Sequence, residues 1–142
     1  MSKQIKVKVI TPERVVCECD VDQITLPVTD GEVTILPNHR AYIASLQIGE
    51  IIAKTDGKEE NIAVVGGFLE FDNNELTILA DEAERAEEID IKKAEAAKKR
   101  AEDIKNKVIK TDEIEYATVA ATLEREMSRI KIAKKYLSRK GL

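Results

Sequence analysis

The side chains able to do chemistry are few: one histidine, His39, and two cysteines, Cys17 and Cys19. His39 follows Pro37-Asn38 in a turn-forming stretch, and no Gly-x-Ser-x-Gly or Cys-His pairing accompanies it to make an activated nucleophile. It reads as a turn or contact residue and not as a proton shuttle. Cys17 and Cys19 stand two apart, which on a strand puts both thiols on one face but gives poor geometry for a bond between them. They are expected to be reduced core residues. With a single imidazole and no second cysteine pair, soft ligands alone do not complete a tetrahedral zinc site, so no metal is expected. Gly66-Gly67 has no Lys-Ser/Thr behind it, so neither a phosphate loop nor a dinucleotide fingerprint is present. No catalytic residues are assigned, and no cofactor is required.

A second kind of chemistry is electrostatic. Arg125, Arg129, Lys131, Lys134, Lys135, Arg139 and Lys140 place seven basic residues against one acid, Glu126, on the last stretch of the chain. This cationic arm is either a solvated helical face whose charges complement a helix dipole or a docking element for an acidic protein surface. Nucleic-acid binding is not expected, because Tyr136 is the arm's only aromatic. Asp90, Lys93, Arg100, Arg125 and Arg129 spread charge over two helices, and a folded hairpin could gather several of them on one polyphosphate. Spacing alone leaves solvated charge as the default for that set.

The elements that must position these residues fall into two halves. The 142 residues are 43% hydrophobic and 35% charged, enough apolar material for a core in one ordinary domain or two small ones. Residues 1–88 carry a net charge of −10 and residues 89–142 a net of +6. All three prolines and five of the six glycines lie in the first half. There, Ile5, Val7, Val9 and Ile24, Leu26, Val28 alternate with polar residues as half-buried strands do. Turn signals at TPE, TDGE, LPNH, TDGK and FDNNE leave room for about eight to ten short strands, which predicts a sandwich or barrel. Gly66-Gly67 inside an apolar run predicts a bulge or a close backbone approach.

From about Ala80 onward alanine and long straight-chain residues take over, and they favour helix. Ala94, Ala97, Ala101, Ile104 and Val108 make one apolar stripe, and Tyr116, Ala120, Leu123, Met127 and Ile130 a second. Thr111 or Asp112 is placed to cap the second helix, with Glu115 closing a capping box behind Asp112. Alanines at the contact positions bury little area, so the hairpin should be weakly held and able to open when a partner offers a better surface. No run of about 18 apolar residues spans a bilayer, and MSKQIKVKVI lacks the apolar core of a secretory signal. The protein is expected to stay in its compartment of synthesis.

Taken in order, GEVTILPNHRAYIASLQIGEI, AVVGGFLEF and LTILADEAERAEEIDI resemble the epsilon subunit family of bacterial F-type ATP synthases (delta in mitochondrial naming) over nearly the whole chain. The resemblance implies an α+β protein, with an N-terminal β-sandwich of about ten strands over 1–86 and a C-terminal antiparallel two-helix hairpin over 87–142. It further implies a non-catalytic rotor subunit of the central stalk. Its partners would be the gamma subunit, the ring of c subunits and the catalytic β subunits with their α neighbours, at the cytoplasmic face of the bacterial cell membrane without insertion. The sandwich would bind gamma and the c-ring. The hairpin would restrain ATP hydrolysis, with Lys131, Lys134, Lys135 and Arg139 meeting a β subunit.

By position, Glu32 and His39 fall in the region resembling the rotor-ring contact, where Thr34 and Asn38 replace glycines common in the family. The hairpin also resembles a regulatory ATP site, with or without Mg2+. Ile89, Asp90, Lys93 and Ala94 match an Ile/Leu-Asp-x-x-Arg-Ala motif except that lysine replaces arginine, and Arg100, Arg125 and Arg129 align with its further basic residues. Loss of the bidentate fork at Lys93 implies weakened ATP binding. A free-standing adaptor that recruits an acidic protein through the basic helix is the competing reading. A stable complex with a gamma-like coiled coil would distinguish the two.

Overall fold

A computed structural model describes residues 3–107 and 113–141. The chain divides into two compact units, Met1–Ala86 and Glu87–Leu142. The first is a β-sandwich of eight strands: β1 (Ile5–Ile10), β2 (Val15–Val21), β3 (Gln23–Val28), β4 (Gly31–Ile35), β5 (Tyr42–Ser45), β6 (Gly49–Thr55), β7 (Lys58–Asp72) and β8 (Glu75–Arg85). They form one continuous sheet in the order β2-β1-β8-β7-β6-β3-β4, with β5 on β7. All neighbours are antiparallel except β1 and β8, which run parallel.

Alternation places the core. Ile5, Val7 and Val9 of β1 are buried while Lys6 and Lys8 are exposed, and Ile24, Leu26 and Val28 of β3 repeat the pattern. These side chains join Val21, Ile35, Ile51, Ile62, Leu69, Phe71, Leu76 and Ile78 in one apolar cluster.

The strands number eight because β7 and β8 are long. The 15 residues of β7 pair with β6 through residues 58–64 and with β5 through 68–71, so one strand serves two neighbours on the same side. The change of neighbour falls at Gly66 and Gly67, whose φ angles of 61° and 111° lie in the left-handed region that glycine favours. The pairing of β7 with β8 keeps a constant register across this point, from Ile62 opposite Arg85 to Asp72 opposite Glu75. No residue is inserted, so the feature is a close backbone approach and not a bulge. A Cβ on Gly67 would fall on the Leu79 carbonyl oxygen.

The second unit begins with a single 3-10 turn, Ala86–Glu88, followed by α1 (Ile91–Lys107) and α2 (Glu113–Arg139). Asp90 starts α1. Its carboxylate accepts from the Lys93 N–H at 3.1 Å, and its carbonyl from the Ala94 N–H at 3.0 Å, an N-cap in both respects. Val108, Thr111 and Asp112 lie outside the described residues. The helices run antiparallel, with Glu95 near the start of α1 facing Lys134 near the end of α2, and Lys105 over the Tyr116 ring.

Ala94 and Ala101 are the buried residues of α1, as alanine spacing predicts, whereas Ile104 of the same stripe is exposed. Of the predicted α2 stripe, Leu123 and Ile130 are buried, together with Val119, Glu126, Ile132 and Ala133, while Met127 is exposed. A glutamate thus occupies an inward position where sequence patterning had placed a methionine.

Gly67→Ala is expected to destabilise the sandwich by more than about 1 kcal/mol, since alanine meets both a positive φ and a carbonyl oxygen. Urea unfolding followed by near-ultraviolet circular dichroism measures it. Gly57→Ala, where a Cβ meets nothing within 4 Å at a φ of 76°, isolates the φ contribution and should cost less.

Candidate functional site

Two surfaces carry the candidate residues, one in each unit. In the sandwich, His39 closes a turn by donating its N–H to the Leu36 carbonyl at 3.1 Å. Its ring packs edge-on against Tyr42 and Phe71, at centroid distances of 5.8 and 5.7 Å, and Nδ1 lies 2.7 Å from the Arg40 carbonyl. An imidazole so packed shapes the turn. The same turn is fastened to the β7–β8 hairpin: the Asn38 N–H donates to Asn74 Oδ1 at 2.6 Å, and Asn74 Nδ2 donates to Asn38 Oδ1 at 3.1 Å. Asn38 has a φ of 68°, a conformation that asparagine tolerates in place of glycine. Thr34, the other glycine replacement, sits in regular β4, where its hydroxyl bonds that of Thr25 at 2.8 Å. Glu32 is exposed on β4 opposite Pro27.

Patterning missed an apolar face on the same unit. Phe68 is 60% exposed, Leu79 54% and Ile43 73%. Phe68 lies directly across from Leu79 on β8 and from Ser45 on β5, which joins them on one outer face with Ile43 two residues along. The signal was available in Phe68-Leu69 and Ile78-Leu79. Consecutive large apolar residues on a strand point to opposite faces, so one of each pair must face out. Three such side chains together mark a partner-binding surface more readily than scattered ones do.

In the hairpin, Ile89 and Ala94 are buried, while Lys93 and Arg100 are exposed on α1. Arg125 and Arg129 meet at Glu126. Glu126 is 3% exposed, with Oε2 accepting from Arg129 Nη1 at 2.8 Å and Oε1 lying 3.5 Å from Arg125 Nε. The cationic arm therefore has two parts. Its first part is engaged with a buried carboxylate, and its second presents Lys131, Lys134, Lys135 and Arg139 at the surface. Lys134 contacts Glu95 at 3.7 Å with both side chains more than half exposed, a pair that contributes little.

The family of ATP synthase delta/epsilon chain β-sandwich domains matches residues 4–86, and that of the delta/epsilon long α-helix domains matches residues 87–134. The chain belongs to the ATP synthase delta/epsilon family. An ATP synthase epsilon chain of Desulforamulus reducens is 39% identical over 94% of this chain and 99% of its own length. That of Bacillus velezensis is 40% identical over 92% and 98%. In structure, the chain is similar to one in the Euglena gracilis mitochondrial ATP synthase solved as an OSCP/F1/c-ring assembly, with a TM-score of 0.77 at 23% identity over 90% of this chain and 80% of that one. These relatives are epsilon chains and not catalytic ones. Among the described residues, no helix is long and apolar enough to cross a membrane.

Glu126 gives this family member a testable signature. Replacing a buried ion pair by a hydrophobe of similar size is often neutral or stabilising, whereas removing only one side leaves a buried charge and costs about 3–5 kcal/mol in the worst case. Glu126→Leu removes the buried charge and leaves Arg125 and Arg129, 34% and 25% exposed, within reach of water, so it should leave the thermal midpoint of the helical signal unchanged or raised. Arg125→Ala combined with Arg129→Ala should lower it clearly, as read by far-ultraviolet circular dichroism.

Proposed function

We propose that the chain is a non-catalytic central-stalk subunit of an F-type ATP synthase. On this reading its sandwich holds the gamma subunit and the c-ring, and its hairpin restrains ATP hydrolysis. It would sit peripherally at the cytoplasmic face of the bacterial membrane. The observation that carries the regulatory part is the division of α2: an inward stripe closed over alanines, and an outward, exposed basic stretch, Lys131, Lys134, Lys135 and Arg139, in which Lys134 meets Glu95 of α1 in a weak surface pair.

The energetics favour a hairpin that can open. Ala94 and Ala101 offer one methyl each, so separating the helices exposes little apolar area per α1 residue, at about 0.8 kcal/mol for each CH2. An acidic surface on a catalytic β subunit, with its α neighbours, would then compensate by pairing with the basic stretch. In the sandwich, the outward Ile43, Phe68 and Leu79 suit a largely apolar partner such as a coiled coil. Glu32 on β4 and the turn holding His39 suit the ring contact, because the Asn38–Asn74 pair fixes the backbone of that turn before any partner arrives.

ATP is the regulatory ligand in this reading, with or without Mg2+. Lys93 and Arg100, both exposed, would meet its phosphates, and Asp90 would set the α1 terminus beside them through its bond to the Lys93 N–H. Arg125 and Arg129 would join only by loosening their hold on Glu126, which leaves a buried carboxylate short of partners and makes binding weak. Bound ATP supplies polyanionic charge that bridges both helices and favours the closed hairpin. The coupling is reciprocal, so conditions that open the hairpin weaken ATP binding by the same factor.

Hydrolysis by the cognate catalytic head lacking this subunit should fall when the full chain is added. Exchanging Lys131, Lys134, Lys135 and Arg139 for glutamate should abolish that fall while binding to the head persists. Equal suppression by both chains would rule out the basic stretch as the brake. Calorimetric titration with MgATP should give a dissociation constant between millimolar and micromolar, ~4–8 kcal/mol. Lys93→Arg should tighten it by up to about ten-fold, ~1.4 kcal/mol, by restoring the bidentate fork. No heat at several millimolar MgATP would remove the nucleotide from the account and leave the brake standing.

A further inference from the structure

The core side of β2 holds a cluster that rotor coupling does not use. Cys17 is buried, Cys19 is half-buried, and their Sγ atoms are 3.0 Å apart. The thiols share one face of β2, as their spacing predicts, and both are free. Glu60 of β7 reaches the same place, so that both sulfurs and one carboxylate oxygen lie within 4.8 Å of one another. Glu60 Oε1 is shielded from water and accepts no aligned hydrogen bond, although Arg85 Nη1 stands 3.1 Å away. Arg85 is anchored independently, with Nε and Nη2 both donating to the Val16 carbonyl at 3.3 and 3.2 Å.

We propose that Cys17, Cys19 and Glu60 form a binding site for a borderline-soft divalent cation of the Zn2+ class, with a fourth position open to water. Two thiolates and a carboxylate bring three negative charges and Arg85 one positive, so a divalent ion makes the cluster neutral and a monovalent one does not. Two sulfurs against one oxygen select zinc-like ions over Mg2+ or Ca2+, which take oxygen ligands.

Around a tetrahedral ion with metal–sulfur bonds of about 2.3 Å, the sulfurs stand about 3.8 Å apart. The pair must open by less than about 1 Å. The ion takes a Glu60 carboxylate oxygen, and Arg85 keeps both bonds to Val16.

The Cys17 thiol is held below its usual range chiefly by its hydrogen bond with Cys19, against burial and Glu60, and Cys19 is pushed up chiefly by the same bond. Binding as thiolates releases the protons that the sulfurs carry.

The test is a Co2+ titration of the full chain, freed of metal and kept reduced by a phosphine. One Co2+ per chain should bind with sulfur-to-cobalt charge-transfer bands that disappear on adding Zn2+. Cys17→Ser and Cys19→Ser should each lose the bands. Glu60→Gln, near-isosteric at a side chain 38% exposed and so harmless to the fold, should keep the bands but weaken binding at least about ten-fold. The proposal is overturned if the parent chain, with both thiols titratable, shows no such bands, or if the Glu60→Gln chain binds Co2+ as tightly as the parent.

Discussion

The sandwich depends on the long ladder between β7 and β8. It runs in one register from Ile62–Arg85 to Asp72–Glu75 and passes through Gly66 and Gly67 without losing step. Because those two residues accept left-handed backbone, β7 gives its first half to β6 and its second to β5, and a single sheet closes over one core. The features of functional interest are spaced along this ladder. Glu60 lies just before its start on β7, and Arg85 closes its first pair. Phe68 and Leu79 face out just past the bend, and Asn74 reaches from the far turn to fix the loop that carries His39.

The hairpin is held by different means. Its interface sets Ala101 of α1 against Val119 and Leu123 of α2 and includes a buried glutamate whose charge is met by two arginines of its own helix. Burying an ion pair yields little net stability, and alanines bury little area. Among the described residues, the largest side chains under 2% exposed all lie in the sandwich core. Local stability follows the density of buried apolar contact, so the two units should differ in how readily they open. The proposed brake, which must be released, calls for the less stable one.

The parts of this architecture written in local pattern were legible in the sequence. Ile5, Val7 and Val9 alternate and are buried in alternation. The Ala94 to Ala101 spacing makes a helix, and the Gly66-Gly67 pair gives a close backbone approach. What depended on distant residues was not legible. The inward place of Glu126 on α2 was missed because Arg125 and Arg129 beside it make a glutamate tolerable inside, whereas periodicity scores a glutamate as outward. The approach of Glu60 to Cys17 and Cys19 was not legible either, because it comes from β7, more than forty residues along. Asp90, matched to a ligand motif, also has a local task as the cap of α1. A side chain's partner within one turn or one strand can be read from sequence, but a partner across the sheet cannot.

The central claim is that the hairpin opens while the sandwich stays closed, and native-state hydrogen exchange of the full chain tests it most directly. The account predicts that amides of α2 between Val119 and Ala133 exchange through an opening well below the free energy of global unfolding, while those of β7 and β8 between Ile62 and Leu79 exchange only with global unfolding. Equal protection of the two sets, with the same denaturant dependence, would contradict it.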